Sequence, residues 1–137
     1  MTTRIAALLL CSIGLKAWAE DLTVEVQHVT PNGGPVMVAV YDKSHDFPAP
    51  QKGLTGQAVE AHGESAEATF HNLTPGRYAV AVYQDLNRNG KLDKNFLGLP
   101  TEPYGFSRDA RGSLGPPSFD AAAVDIPATA KVVINLR

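Results

Sequence analysis

Cysteine and long apolar runs are scarce in this sequence. Of its 137 residues one is cysteine, and the longest apolar stretch covers residues 5–15, with Cys11 inside it. A membrane-spanning helix needs about 20 predominantly apolar residues, so this stretch is too short, and no later run approaches that length. We therefore expect no transmembrane segment. If residues 5–15 belong to a cleaved leader, the remaining chain has no cysteine and can form no disulfide bond.

An excess of positive charge is also absent. The chain has 12 Lys and Arg against 14 Asp and Glu, which gives a net charge of −2. Nucleic acids and anionic lipid surfaces attract proteins with clustered basic residues. The overall balance therefore predicts no nucleic-acid partner and argues against an anionic lipid partner.

Local signatures of catalysis are missing as well. The four histidines show none of the spacings typical of zinc or copper sites, although His62 and His71 could meet across a hairpin. A nucleophilic triad can be assembled on paper from among Ser107, Ser118, His71 and Asp85, but no motif positions a strained nucleophile. The sequence favours a non-enzymatic protein.

Residues 1–19 have the pattern of a removable signal peptide. Arg4 supplies the positive start, the apolar stretch follows, and Ala17-Trp18-Ala19 provides a small-x-small cleavage site. Cleavage after Ala19 would remove Arg4 and Lys16 and so take the net charge from −2 to −4. We predict a periplasmic or secreted protein with one domain over residues 20–137.

A lipid anchor is the alternative interpretation of the leader. Bacterial lipoproteins are cut just before a cysteine, which would here be Cys11. Leu10 stands where that signal needs a small residue, and short motifs of this kind discriminate poorly. The signal-peptide interpretation is therefore preferred.

The remaining sequence alternates apolar and polar residues with a period of two, which is typical of β-strands. Leu22, Val24 and Val26 alternate with polar residues, whereas residues 36–41 and 78–83 are apolar on both faces and are predicted to be central strands. Two hairpins are expected, and they would join residues 57–62 to 65–71 and residues 124–126 to 132–136.

About seven short strands without an ordinary helix predict an all-β fold. The expected architecture is an antiparallel two-sheet sandwich of the immunoglobulin or transthyretin type. Tyr78 follows a turn, as does the inward tyrosine of such sandwiches whose hydroxyl group bonds back to the main chain. The alternative is a core aromatic residue with its hydroxyl group at the rim.

Two segments do not follow the strand pattern. Residues 44–55 contain two prolines and a glycine and are interpreted as an ordinary exposed loop. Residues 85–121, here called the excursion, are far longer than the ~12–15 residues beyond which a structureless loop is unusual. Something must hold the excursion in place.

The start of the excursion has the spacing of a calcium-binding loop. Oxygen-bearing side chains occupy every second position and are followed by Gly90, which suits a sharp turn. Positions one, three, five and nine would supply side-chain oxygens, and position seven a main-chain carbonyl. The predicted ligands are Asp85, Asn87, Asn89, Lys91 and Asp93.

This loop departs from a helix–loop–helix calcium site at its twelfth position, where Phe96 replaces the bidentate glutamate. A distant carboxylate must then complete the site, and Glu102 is the first choice and Asp109 the second. Such a site predicts a structural ion with an affinity of ~10⁻⁴–10⁻³ M unless Glu102 joins. The alternative is a tight Asn-Gly turn without an ion. Magnesium suits the flexible ligand set less well.

Four blocks of sequence resemble the uncharacterised bacterial family called domain of unknown function 2141. They read LTPGRYAVAV at residues 73–82, DLNRNGKLD at 85–93, LGLPTEPYGFS at 97–107 and GPPSFDA at 115–121. The resemblance covers nearly all of the predicted mature chain. It implies an exported protein with an immunoglobulin-like or transthyretin-like sandwich, and it implies no established activity.

Two function classes follow from these observations. The first is a calcium-stabilised, non-enzymatic module whose excursion binds a partner protein, a glycan or a small ligand. The second is a hydrolase with a calcium-shaped substrate site near Glu102. Tyr104 and Phe106 either face a ligand or, as the favoured interpretation, form the excursion's own small core with Phe96 and Phe119.

Overall fold

The computed structural model describes residues 19–137. Residues 1–18 of the predicted signal peptide (residues 1–19), with Cys11 of the alternative lipid anchor, lie outside the described residues. This part of the chain contains eight strands: β1 (Glu20–Gln27), β2 (Val36–Tyr41), β3 (Thr55–Val59), β4 (Ser65–Leu73), β5 (Gly76–Gln84), β6 (Tyr104–Phe106), β7 (Val124–Ile126) and β8 (Lys131–Asn135). The helices of the described residues are a single 3-10 turn at Ser107–Asp109 and one turn of α-helix, α1, at Phe119–Ala122.

The strands form two sheets that pack face to face, which confirms the predicted all-β sandwich. The smaller sheet has the order β4-β1-β8, and the larger has the order β3-β2-β5-β6, with β7 paired to the start of β5. Alternate residues of β1, β2, β4, β5 and β8 meet between the sheets and form the main core. Most pairs are antiparallel, but β1 and β8 run parallel, which the sequence did not predict.

Residues 36–41 and 78–83 of the two central strands are buried on the face toward the smaller sheet and buried or half-buried on the opposite face, in keeping with their composition. In β5, Val80 and Val82 face the main core, whereas Ala79 faces a second cluster on the outer side of the larger sheet. That cluster is covered by aromatic residues from the excursion and from the loop after β2. Its buried members are Tyr41, Ala79, Phe106, Phe119, Ala122 and Ala123.

Both predicted hairpins are wrong in their pairing, although the strands themselves exist. β3 pairs with β2 in the larger sheet, whereas β4 pairs with β1 in the smaller one; only a single bridge between His62 and Ser65 connects the two at their turn. β7 pairs with β5 and β8 pairs with β1. In each case the strand pairs with a partner distant along the chain rather than with its neighbour in sequence.

The inward tyrosine is confirmed. The Tyr78 hydroxyl group donates to the main-chain oxygen of Thr74 at 2.6 Å, and Tyr78 is buried in the main core. This bond fixes the turn between β4 and β5. Within residues 19–137, no helix has the length and apolar character needed to cross a bilayer.

Candidate metal centre

The excursion begins at a point where the main chain is tightly held. The Asp85 N–H donates to Pro35 O at 2.9 Å, and the Gln84 N–H donates to Pro103 O at 2.9 Å. The main chain at Gly34 passes so close that a Cβ atom there would lie 2.2 Å from the Asp85 oxygen, and Gly34 has a φ of +116°. Only glycine fits this approach, so the first residue of the loop has a fixed position.

The side chains predicted to bind an ion converge. Asp85 accepts hydrogen bonds from the main-chain N–H groups of Asn89 at 3.2 Å and Gly90 at 2.7 Å. The Asp93 carboxylate accepts from the side-chain amides of Asn87 at 2.5 Å and Asn89 at 2.8 Å. Gly90 has a φ of +76°, which lets the main chain turn between these side chains. Four of the six predicted ligands are therefore brought together.

Glu102, which lies outside residues 85–93, binds to both ends of the loop. One carboxylate oxygen accepts the Leu86 N–H at 2.7 Å, and the other accepts the Asp93 N–H at 2.9 Å. The residue is 6% exposed. Glu102 thus ties the first part of the loop to its last part across sixteen residues of sequence.

The remaining predicted ligand, Lys91, and the second-choice acid, Asp109, lie in different surroundings. Asp109 accepts from the Asn135 main-chain and side-chain N–H groups at 2.9 and 2.8 Å, so its carboxylate is engaged at the end of β8. Lys91 has an exposed side chain, and its N–H donates to the Asn89 side-chain oxygen at 3.0 Å. Of the two distant acids, the structure brings Glu102 to the loop.

The electrostatics of the loop are unbalanced. Asp85 is 2% exposed and Glu102 is 6% exposed, and among the described residues neither they nor Asp93 forms an ion pair with a basic side chain. Burial of a carboxylate without a positive partner is costly. Burial raises the pKa of the nearby Tyr83 hydroxyl group, and the three carboxylates raise it further.

Acidic side chains alone do not form a metal site here. In the described part of the chain, no three His, Cys, Asp or Glu side chains are grouped so that they could hold an ion together. An ion at this loop would need amide and main-chain oxygens beside the carboxylates. Those are the ligand types of the predicted loop, which fit calcium.

The predicted small core of the excursion is correct in part. Phe106 and Phe119 are buried, and each packs edge-on against Phe47, at 5.8 and 6.0 Å between ring centroids. Phe96 is 96% exposed, so its predicted place in this core is wrong. The second half of the excursion already covers the outer face of the larger sheet, and the turn at Phe96 projects away from it.

Sequence reasoning missed two buried polar residues that hold neighbouring segments. Ser107 accepts from the Val80 N–H at 2.9 Å and donates to Ala122 O, and it is fully buried. Gln84 bonds to both main-chain groups of Thr30 at 2.8 Å. No local pattern identifies either residue, because each side chain bonds to a segment far away in the sequence.

The arrangement around Glu102 offers little to a hydrolytic reaction. Glu102 is 6% exposed and each of its oxygens accepts an N–H group, whereas a general acid or base must reach a substrate proton. Two cavities of about 230 and 220 Å³ lie elsewhere, around Arg111 and Arg137, and no residue of the 85–102 segment lines either. The second cavity is bordered by Tyr104 and Phe106.

Comparison with known proteins gives one positive result. No curated protein and no solved structure matches the chain, so the choice between an immunoglobulin-like and a transthyretin-like sandwich stays a prediction. A family model matches residues 24–135, which include every strand from β2 to β8, the calcium-like loop and Glu102. The chain therefore belongs to the family DUF2141, described as an uncharacterized protein conserved in bacteria.

Proposed function

We propose that residues 85–93, supported by Glu102, bind one calcium ion that fastens the excursion to the sandwich. The protein is then an exported, non-enzymatic module whose excursion presents a binding surface. The observation that carries this proposal is the burial of Asp85 and Glu102 without a basic partner in the described residues. A divalent cation supplies the missing positive charge at the place where the oxygens converge.

The proposed ligand set follows the spacing of the loop. Asp85 and Asp93 would contribute carboxylates, and Lys91, at position seven, would contribute its main-chain carbonyl. Asn87 and Asn89 direct their amide nitrogens at Asp93. A half-turn of each amide about its terminal bond would present oxygen in place of nitrogen.

Glu102 contributes charge and order to this site. Each of its oxygens accepts one N–H group from the loop, and a carboxylate oxygen has a second lone pair. Its negative charge therefore lies beside the ion whether it binds directly or through water. We expect a dissociation constant below the ~10⁻⁴–10⁻³ M of sites with few carboxylates.

The proposal is tested by thermal unfolding of residues 20–137, which contain every described strand and the whole core. At one hundred times the dissociation constant, calcium should add ~2.7 kcal/mol to the free energy of unfolding. For a domain of this size that raises the melting temperature by about 5–20 °C relative to a sample with chelator. Titration calorimetry measures the affinity directly.

Two variants make the test specific. Asp85→Ala removes a predicted ligand and should abolish both the calcium-dependent rise in melting temperature and the calorimetric heat. Asp42→Ala removes an exposed aspartate outside the loop and should leave both unchanged. A wild-type protein without any calcium response would show that the loop is a tight turn, and an equal response in Asp85→Ala would place the ion elsewhere.

A further inference from the structure

A small apolar tip projects beside the proposed calcium loop. Phe96 is 96% exposed, Leu97 is 68% exposed and Leu99 is 57% exposed. The three side chains lie within five consecutive residues, 95–99, which we call the apolar tip. An exposed phenylalanine with two exposed leucines is an uncommon concentration of apolar groups for so short a segment.

The apolar tip is held out by polar bonds. The Asn95 side-chain oxygen accepts the N–H groups of Leu97 at 2.9 Å and Leu99 at 3.1 Å. The Asn95 N–H donates to Leu99 O at 2.9 Å, and Gly98 adopts a φ of +77° that suits the turn. A bridge between Lys94 and Pro100 closes the segment. The main chain is thus ordered without burial of the apolar side chains.

Basic residues flank the apolar tip. Lys91 and Lys94 are exposed, and within residues 19–137 neither forms an ion pair; Arg88 makes a long contact of 3.6 Å with the exposed Glu60. Residues 85–102 contain three acidic and three basic residues. Their net charge is therefore zero, and one bound calcium ion makes it +2. The negative charge of the whole chain does not describe this surface.

We propose that the apolar tip is a calcium-dependent docking element for an anionic phospholipid surface. This inference rests on the proposed calcium site. Phe and Leu side chains insert shallowly at the boundary between headgroups and acyl chains, and basic residues beside them attract anionic headgroups. Calcium completes the charge complementarity and fixes the loop from which the tip projects.

The shape and size of the apolar tip favour a lipid surface over a protein. A stable interface between two proteins buries about 800 Å² on each partner, and a large aromatic side chain provides only ~150–250 Å². Three side chains on one turn do not reach that area. A bilayer needs no matching pocket, because its surface adapts to a projecting turn.

The test is co-sedimentation of residues 20–137 with vesicles of phosphatidylcholine alone or mixed with phosphatidylglycerol. We expect binding to the mixed vesicles in calcium, and loss of binding in chelator or on phosphatidylcholine alone. The double variant Phe96→Ser, Leu97→Ser should weaken binding about 100-fold. Lys91→Gln and Lys94→Gln should each weaken it about five-fold.

A matched control is the double variant Leu54→Ser, Leu114→Ser, which removes two apolar side chains that are 51% and 102% exposed elsewhere. It should bind vesicles like the wild type. Asp85→Ala should not bind in calcium, which excludes simple bridging of the protein to lipid by free ions. Equal loss in the control variant would overturn the assignment of binding to the apolar tip.

The outcomes separate this inference from the calcium proposal. Calcium binding by calorimetry without vesicle binding would overturn the docking inference and leave the calcium site intact. Absence of calcium binding would overturn the calcium site. Vesicle binding that persists in chelator would overturn the inference that calcium controls docking. Self-association that Phe96→Ser abolishes in the absence of lipid would identify a second copy as the occupant and overturn the lipid assignment.

Discussion

The main core and the predicted calcium-binding loop, residues 85–93 with Glu102, differ in the groups that they bury. Between the sheets, residues such as Val24 and Ile134 are fully buried and bring no charge with them. In the loop, the buried groups are the carboxylates of Asp85 and Glu102, which main-chain N–H groups surround. The sandwich therefore needs only its apolar pattern, whereas the loop has a charge that a cation would balance.

The two halves of the excursion also differ in what orders them. Its second half packs Phe106 and Phe119 onto the outer face of the larger sheet and so behaves as an extension of the sandwich. Its first half has Phe96, Leu97 and Leu99 exposed and is ordered by hydrogen bonds. Order without an apolar core is sensitive to the loss of single polar groups, so the two halves should respond differently to substitution.

The largest effect is expected from Ile134→Ala in the main core. Ile134 is fully buried, and removal of so large a buried side chain costs about 2–5 kcal/mol. The loss should be the same with calcium and with chelator, because the core does not depend on the ion. Urea unfolding of both samples measures it.

Val133→Ala is the matched control for this substitution. Val133 is the preceding residue of β8, and it is 46% exposed. Its replacement should change the free energy of unfolding by only about 0.5 kcal/mol. A calcium-dependent loss in Ile134→Ala would contradict the independence of the core and the loop.

A smaller effect is expected from Glu102→Gln. A glutamine keeps one acceptor oxygen and places an N–H2 group against the other main-chain N–H, so one buried donor loses its partner. The expected loss in chelator is about 1–3 kcal/mol, and the stabilisation by calcium should also decrease. Glu64→Gln, at an exposed glutamate away from the loop, should have almost no effect on either. Unchanged stability of Glu102→Gln would show that the loop does not depend on this clamp.

The smallest effect concerns a surface ion pair of the smaller sheet. Lys131 lies 2.7 Å from Glu25 and, by hydrogen bonding and by its charge, lowers the pKa of that carboxyl group below 4.5. In turn, Glu25 raises the pKa of Lys131 above 10.5. The pair therefore contributes fully to the free energy of unfolding between the ordinary pKa values of the two groups, 4.5 and 10.5. This contribution is lost as the pH falls through the lowered pKa of Glu25 or rises through the raised pKa of Lys131.

The measurement is the urea midpoint of the wild type and of Glu25→Gln at neutral and at acidic pH. A small difference at neutral pH should disappear in acid, where Glu25 of the folded wild type is protonated. The pair is exposed, so the difference should be far below that of Ile134→Ala. A difference that persists in acid would assign the effect to packing rather than to charge.

Much of the fold could be predicted from local patterns. The bounds of β2 were predicted residue for residue, and the central positions of β2 and β5 in their sheet followed from their continuous apolar composition. The pairing of β3 and β8 could not be predicted in this way. A short strand that follows a turn can pair in either sheet, and the choice depends on contacts with strands far away in the sequence.

The candidate site shows the same division. The spacing of Asp85, Asn87, Asn89 and Asp93 predicted their convergence, because oxygen-bearing side chains at these positions around a glycine turn face one centre in calcium-binding loops. The selection of Glu102 over Asp109 depended on the return of the chain to Leu86. The exposure of Phe96 depended on how much of the outer sheet face was already covered.

The sequence by itself determined which segments are strands and which loop collects oxygen atoms, because both properties repeat over two residues and need no distant partner. Only the tertiary structure decided which sheet receives each edge strand, which acid closes the loop and which apolar side chains stay in water. Those outcomes depend on contacts between residues far apart in the sequence, and such contacts form only where the folded core leaves space for them.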